Sequence, residues 1–223
     1  MPATLTRIIV NRGHGLARAD LADRPGMHKT LMRLLTDPTG PNPRKTGGLL
    51  FRLEAGLDPV LLVQTADLPD LTALPAGYGT ADTRDLTPLL TALTHGLPVR
   101  YRITAAPTAY RASPPHPATG RRPRGTITSL QGPDALTWWQ RRAAAAGLQL
   151  AGQIEATPRP FPSPKRPAPF YRLTQFDGTA TVTDPAALTT ALHEGIGKGK
   201  AYGAGLLTLA SAGPHPSNGA PTP

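Results

Sequence analysis

Two stretches carry the side chains that could do chemistry. Toward the end of the chain, Gly195-Ile196-Gly197-Lys198-Gly199-Lys200-Ala201-Tyr202-Gly203-Ala204-Gly205 places five glycines and two lysines in eleven residues. Glycine tolerates positive φ and lets backbone N–H groups come close to an anion, while Lys198 and Lys200 add mobile positive charge, so the segment suits phosphate. A flexible turn between a helix and a strand is the plainer alternative. Toward the other end, His28 follows the breaker Pro25-Gly26 at the start of a helix-compatible segment. There the positive end of the helix dipole favours the neutral imidazole that a general base needs. Without that role His28 is a surface side chain. His14, His95, His116, His193 and His215 lie in Gly-rich or Pro-rich stretches or near helix ends. No histidine forms H-E-x-x-H or another metal-ligand spacing, and no G-x-S-x-G elbow occurs, which disfavours zinc and serine hydrolases and predicts no metal and no cofactor.

Which phosphate compound the loop would meet is narrowed by order and composition. A P-loop requires G-x-x-x-x-G-K followed by Ser or Thr, but Ala201 follows Lys200; a dinucleotide loop leaves a strand and opens a helix, and this one does the reverse. With 24 Lys+Arg against 14 Asp+Glu, a net charge of +10, the chain attracts polyanions at long range in a salt-dependent way. Nucleic acid is the polyanion that remains. The absence of cysteine excludes disulfides, iron–sulfur clusters, Cys-ligated zinc and a thiol nucleophile, and fits a cytoplasmic location. Arg7, Asn11 and Arg12 interrupt the N-terminal apolar run, so neither a membrane span nor a cleavable signal is expected.

The elements that must position these residues alternate. Thr4 to Asn11 reads as a strand, His28 to Leu35 as an amphipathic helix, Gly48 to Ala55 and Pro59 to Thr65 as a strand pair, Thr87 to Leu93 as a helix and Pro98 to Ala106 as a fourth strand. That order is βαββαβ, the ferredoxin-like unit of an α+β fold. The second half repeats it less clearly: strand Gly125 to Ser129, helix Pro133 to Ala146, strands Leu148 to Ala156 and Phe170 to Phe176 with Thr179 to Thr183 nearby, helix Pro185 to Glu194 and strand Leu206 to Ala210. The expected organisation is an N-terminal ferredoxin-like domain over 1–110, a basic linker over 111–124 and a C-terminal ferredoxin-like domain over 125–223. On the second-half helix, at most one of Trp138 and Trp139 is expected to face the core, because helical neighbours diverge by about 100°.

Several segments, in this order along essentially the whole chain, carry a resemblance: Arg7-Ile8-Ile9-Val10-Asn11, Gly26-Met27-His28-Lys29-Thr30-Leu31-Met32-Arg33-Leu34-Leu35, Gly48-Leu49-Leu50-Phe51-Arg52-Leu53-Glu54, Arg121-Arg122-Pro123-Arg124-Gly125, the helix with Trp138-Trp139, and Gly195 through Leu207. The chain resembles the CasE family, the CRISPR RNA-processing endoribonucleases of type I-E systems. The resemblance implies two tandem ferredoxin-like domains of the RRM-like, RAMP type. It implies metal-independent cleavage of precursor CRISPR RNA at each repeat hairpin, and retention of the crRNA product with the other Cascade subunits. It also implies that Arg33, five positions after His28, assists catalysis. Where family members often carry a Tyr three positions before the His, this chain has Pro25.

Such a ribonuclease uses the substrate's 2′-hydroxyl as nucleophile and needs a base, an acid for the departing 5′-oxygen and cations for the charge on phosphorus. His28 is the candidate base, with Lys29 and Arg33 as candidate cations. On a regular helix Lys29 and Arg33 share a face, whereas Arg33 lies roughly 140° from His28, so convergence requires His28 at a frayed entry. Three groups are expected to bind RNA: Arg121, Arg122 and Arg124; Arg159, Lys165 and Arg166 in a Pro-rich tip between two strands; and the loop residues Gly195, Gly197, Lys198, Gly199 and Lys200. Each cationic group could equally be solubility charge. A non-catalytic RNA-binding subunit of the same fold, and a basic protein that binds duplexes without preference, are the rival function classes.

Overall fold

A computed structural model of the 223-residue chain describes residues 3–36, 40–54, 56–112, 125–160 and 171–212. Its first unit consists of β1 (Thr4–Val10), α1 (Gly15–Ala22), α2 (Arg24–Met32), the single turn α3 (Pro43–Thr46), β2 (Leu50–Glu54), β3 (Val60–Thr65), a 3-10 turn at Leu71–Ala73 and β4 (Gly79–Asp85). The strands form an antiparallel sheet in the order β2-β3-β1-β4, with β1 between β3 and β4. Along β1, Thr6, Ile8 and Val10 face the interior while Arg7 is exposed, the period-two pattern of a half-buried strand. Met27 and Leu31 on α2, with Leu34 just past its end, recur at helical spacing and pack with Ile8, Phe51, Leu61 and Val63 in one core.

After α4 (Thr87–Thr91), the second unit runs β5 (Pro98–Ala105), β6 (Thr108–Arg111), β7 (Thr126–Ser129), α5 (Gly132–Ala145), β8 (Leu148–Arg159), β9 (Leu173–Val182), α6 (Pro185–Glu194), a 3-10 turn at Lys200–Tyr202 and β10 (Leu207–Ser211). Its sheet has the order β10-β5-β9-β8, and β6 and β7 form a separate two-stranded ribbon. Both four-stranded sheets have the strand order of a ferredoxin-like unit, so the α+β expectation of two tandem ferredoxin-like domains is met.

Three assignments differ from expectation. The strand read at Pro98 to Ala106 is present, but it pairs with β9 and β10 in the second sheet. Val99, Tyr101, Ile103 and Ala105 belong there to the core around Trp139 and Phe176. The fourth strand of the first sheet is β4, whose sequence GTADTRD is polar and largely exposed at a sheet edge, so it carries no apolar alternation. The strand at Gly125 to Ser129 pairs with β6 and is not part of the second sheet. Both tryptophans are buried, Trp138 at 2% and Trp139 at 0% exposure. Trp139 stacks on Phe176 with ring centres 5.6 Å apart, while Trp138, turned away along the helix, is covered by the glycine-rich loop: a Cβ at Gly197 would lie 3.1 Å from its ring. The divergence of neighbours holds, and a second cover accommodates it.

Two buried polar side chains join the units. Arg52 on β2 donates from Nε to Glu54 (2.8 Å), from Nη1 to the carbonyls of Arg102 (2.9 Å) and Leu206 (3.1 Å), and from Nη2 to Thr208 Oγ1 (2.9 Å). Gln64 on β3 donates to the Leu192 carbonyl at 2.8 Å. The glycine-rich loop between α6 and β10 is thereby set against β2 and α2.

Candidate active site

Asp23 caps α2, its side chain accepting from Gly26 N at 3.2 Å, and Pro25 occupies the first turn, where its missing N–H costs nothing. The helix therefore starts at Arg24 and ends at Met32, and His28 is its fifth residue, inside a regular turn and not at a frayed entry. The His28 ring stacks on Phe51 of β2, with centres 6.4 Å apart and planes 16° from parallel. Nδ1 is buried without a hydrogen-bond partner among the described residues, so Nε2 is the nitrogen left to meet a substrate. Burial, and then the neighbouring Arg44 guanidinium, pull the imidazole below its ordinary pKa of 6.5. The neutral ring is thus favoured, as a base requires, through desolvation and a nearby cation.

The glycine-rich loop closes over the same place. Gly195, Gly197, Gly199, Gly203 and Gly205 all have positive φ. At Gly203, with φ of 82°, a Cβ would stand 3.0 Å from Phe51 Cε2 and 3.7 Å from Arg24 Nη1. Glycine is needed there because the loop backbone lies directly on the ring that carries His28. Much of the loop's amide set is used inside the fold. Gly195 N donates to Ala191, Ile196 N to Gly205, Tyr202 N and Ala204 N to Gly199, Gly203 N to Lys200 and Gly205 N to Thr104. Its glycines serve close packing first, and in the turn from Gly197 to Ala201 the exposed residue is Lys198. Lys198 is exposed and forms a β-bridge with Ala106. Lys200 is half-buried in the 3-10 turn, and burial and the positive charge of Arg44 lower its pKa.

The other expected residues are more dispersed. Lys29 is exposed on α2. Arg33, exposed, caps the C-terminal end of that helix, and its charge acts on the carboxylate of Asp20. Arg159, at the end of β8, donates from Nε (2.9 Å) and Nη2 (2.6 Å) to Gln175 Oε1. Gln175 continues to Asp177 and Asp177 to Arg102, a polar chain across the second sheet. Arg159 also lines a cleft with Tyr171, Arg172 and Gln131. Arg121, Arg122, Arg124, Lys165 and Arg166, and all but the first two residues of the expected linker, lie outside the described residues.

Sequence reasoning missed two cations: Arg44, whose charge acts on His28, and Arg24, one helical turn before it. Arg24 is 7% exposed, bonds only Met27 Sδ, at 3.8 Å, among the described residues, and leaves Nε buried and unpartnered there; burial lowers its pKa to about 10. Arg44 on α3 is half-buried and donates from Nη1 to the Leu49 carbonyl at 3.0 Å. A signal was available for Arg24, which stands four residues before His28 and so shares its helix face. None was available for Arg44, brought in by a single turn of helix. Among the described residues no group of three or more His, Asp or Glu side chains could hold a metal ion, and no helix is long and apolar enough to cross a membrane.

Comparison with known proteins places these features in context. The family described as CRISPR associated protein matches residues 5–211. The CRISPR-associated endoribonuclease Cse3 of Thermus thermophilus is 32% identical, over 92% of this chain and 99% of the relative. The CRISPR system Cascade subunit CasE of Escherichia coli is 26% identical, over 87% and 96%. A structure of Thermus thermophilus Cse3 bound to an RNA representing a pre-cleavage complex superposes with a TM-score of 0.76 at 29% identity, covering 94% of this chain and all of that one.

Proposed function

The chain belongs to the CasE family of CRISPR-associated proteins, and from that premise we infer that it is the endoribonuclease that cuts precursor CRISPR RNA. It binds the repeat RNA and works with the other subunits of Cascade, and its site of action is the cytoplasm. The observation that carries the chemistry is His28: an imidazole whose Nδ1 is buried, held flat on Phe51 beneath the glycine-rich loop, with burial drawing its pKa down.

The reaction requires no resident cofactor. His28 Nε2 takes the proton of the 2′-hydroxyl upstream of the cut, O2′ attacks phosphorus, and the bond from phosphorus to O5′ breaks. The products are a 2′,3′-cyclic phosphate and a 5′-hydroxyl. With Pro25 where family members often carry Tyr, the departing O5′ draws its proton from water, and the His28 imidazolium returns its own to the hydroxide left behind. Lys29 and Arg33 stand on the outer face of α2 as contacts to the flanking backbone, and Arg33 is the family's assisting cation. Lys198 and Lys200 with the turn of Gly197 and Gly199 hold a phosphate, and Gly195 fixes the loop's entry. Arg159 binds at the mouth of the second-sheet cleft, and Arg121, Arg122, Arg124, Lys165 and Arg166 extend the basic surface.

The test is cleavage of the cognate repeat hairpin in EDTA, with the ends identified by mass. Cleavage to the cyclic phosphate, undisturbed by excess random RNA, is the expected result. Tight hairpin binding with no cleavage would return the rival reading that Pro25 favours, a non-catalytic RNA-binding subunit of the same fold.

A further inference from the structure

Four cations converge where α2, α3, β2 and the glycine-rich loop meet, with little to neutralise them. Arg24 and His28 lie one helical turn apart on one face of α2, and both reach the contact between Phe51 and Gly203. Arg44 is tied by one N–H to Leu49, two residues before Phe51 on the same strand segment. Lys45 lines a small cavity with Arg44, His193 and Glu194, and Lys200 stands three residues before Gly203. Glu194 is the carboxylate that acts on Lys200, and Arg44 and Lys45 act on it with the opposite sign. None of the four cations forms a salt bridge among the described residues.

Such an arrangement opposes folding. A guanidinium as buried as that of Arg24 is normally paired with a carboxylate, because the desolvation of an unpaired charge is costly. Here the hydrogen-bond partner is a thioether sulfur, and Nε has none among the described residues. At Lys200 the like charges of Arg44 and Lys45 add to the cost. A cluster of this kind is relieved by an anion, and a phosphodiester is the anion the proposed reaction brings to His28.

We propose that Arg24 and Arg44, supported by Lys200, form a built anion site beside His28 that grips the phosphate under attack, and that Arg44 supplies the charge that stabilises the pentavalent phosphorus. The inference rests on the endoribonuclease reading for its substrate, but the site itself can be tested without cleavage. Arg33, exposed at the C-terminal end of α2, then assists from the flanking backbone.

The first arm of the test measures urea unfolding with and without inorganic phosphate. Phosphate raises the midpoint of the wild-type protein by binding the folded state, and the Arg24→Met/Arg44→Ala variant loses that response. Equal stabilisation of both proteins would overturn the site. In the absence of phosphate, Arg24→Met is expected to unfold at the wild-type midpoint or above it, since an unpaired buried charge is removed; a lowered midpoint together with normal cleavage would make Arg24 a structural residue and overturn its assignment. The second arm is single-turnover cleavage. Arg44→Ala is expected to slow it by about 10²–10³-fold, the effect of removing one donor from a developing oxyanion, while affinity for an uncleavable 2′-deoxy hairpin stays within a few-fold. Because the Arg44 charge disfavours imidazolium, its removal moves the acid limb of the pH–rate profile to higher pH, and Arg44→Lys keeps the limb near its wild-type position. Near-wild-type cleavage by Arg44→Ala with an unmoved limb would overturn the role of Arg44. Failure of the wild-type protein to cut any hairpin would instead remove the enzymatic reading, leaving the phosphate arm to decide the anion site.

Discussion

Arg52→Ala tests how the two units are held in register. The side chain is 2% exposed and makes four hydrogen bonds, to Glu54, to the carbonyls of Arg102 and Leu206, and to Thr208. Bonds to a charged group contribute about 1.5–3 kcal/mol each before desolvation, about 6–12 kcal/mol for four. Burying the guanidinium costs several kcal/mol, which cancels much of that sum. The variant recovers the desolvation cost but leaves Glu54 short of its closest cation and two carbonyls without a donor, and breaking a buried pair in this way costs about 3–5 kcal/mol. With a urea m-value of about 2–3 kcal/mol/M for a chain of this size, the midpoint should fall by about 1–2.5 M. Arg52→Lys, which keeps the charge but not the fork, should fall less. Leu206 directly follows Gly205, so loosening this bond also frees the loop that lies on Phe51, and cleavage should slow in the fraction that remains folded. A midpoint within about 0.3 M of wild type, inside the usual error of such fits, would refute the reasoning.

Three further outcomes are expected. Gly197→Val combines a φ of 84° with a Cβ placed 3.1 Å from the Trp138 ring; it should cost of order 1–3 kcal/mol of stability and change tryptophan fluorescence, readable in one urea titration. Lys198→Ala/Lys200→Ala should weaken hairpin binding and flatten its log–log salt dependence by up to about one unit per lost contact, measured by fluorescence anisotropy. His28 has a folded-state pKa below its unfolded value, so the unfolded chain binds more protons and the fold loses stability as pH drops below about 6.5; His28→Gln should lose that part of the slope in urea midpoints measured across the range.

The legible parts of the sequence were those with strong local signals. Apolar alternation in Thr4–Val10 and Pro98–Ala105, the helix-compatible run Pro185 to Glu194, and the five glycines after it each specified an element that is present. Membership in a sheet was not legible, because strand pairing is decided by partners far along the chain: Tyr101 meets Gly178 and Leu209, and nothing near it says so. Edge strand β4 was invisible for the opposite reason, being too polar to show a pattern. Pro25 looked like a stop and proved to be part of the first turn, which moved His28 inward by a full turn. Of the candidate site, the glycine loop stood out by residue type and spacing, and His28 by its place after Pro25-Gly26 together with the family resemblance. Their meeting at Phe51, and the cations Arg24 and Arg44 around them, depend on tertiary packing that no local window encodes.

The central claim is that His28 removes the proton from the substrate's own nucleophile. Single-turnover cleavage of the cognate repeat hairpin by His28→Ala, in EDTA and beside a wild-type control, tests it most directly. A loss of about 10²–10⁴-fold in rate, the usual contribution of a general base, is expected, with hairpin affinity within a few-fold of wild type. Cleavage at a near-wild-type rate by the variant would contradict it.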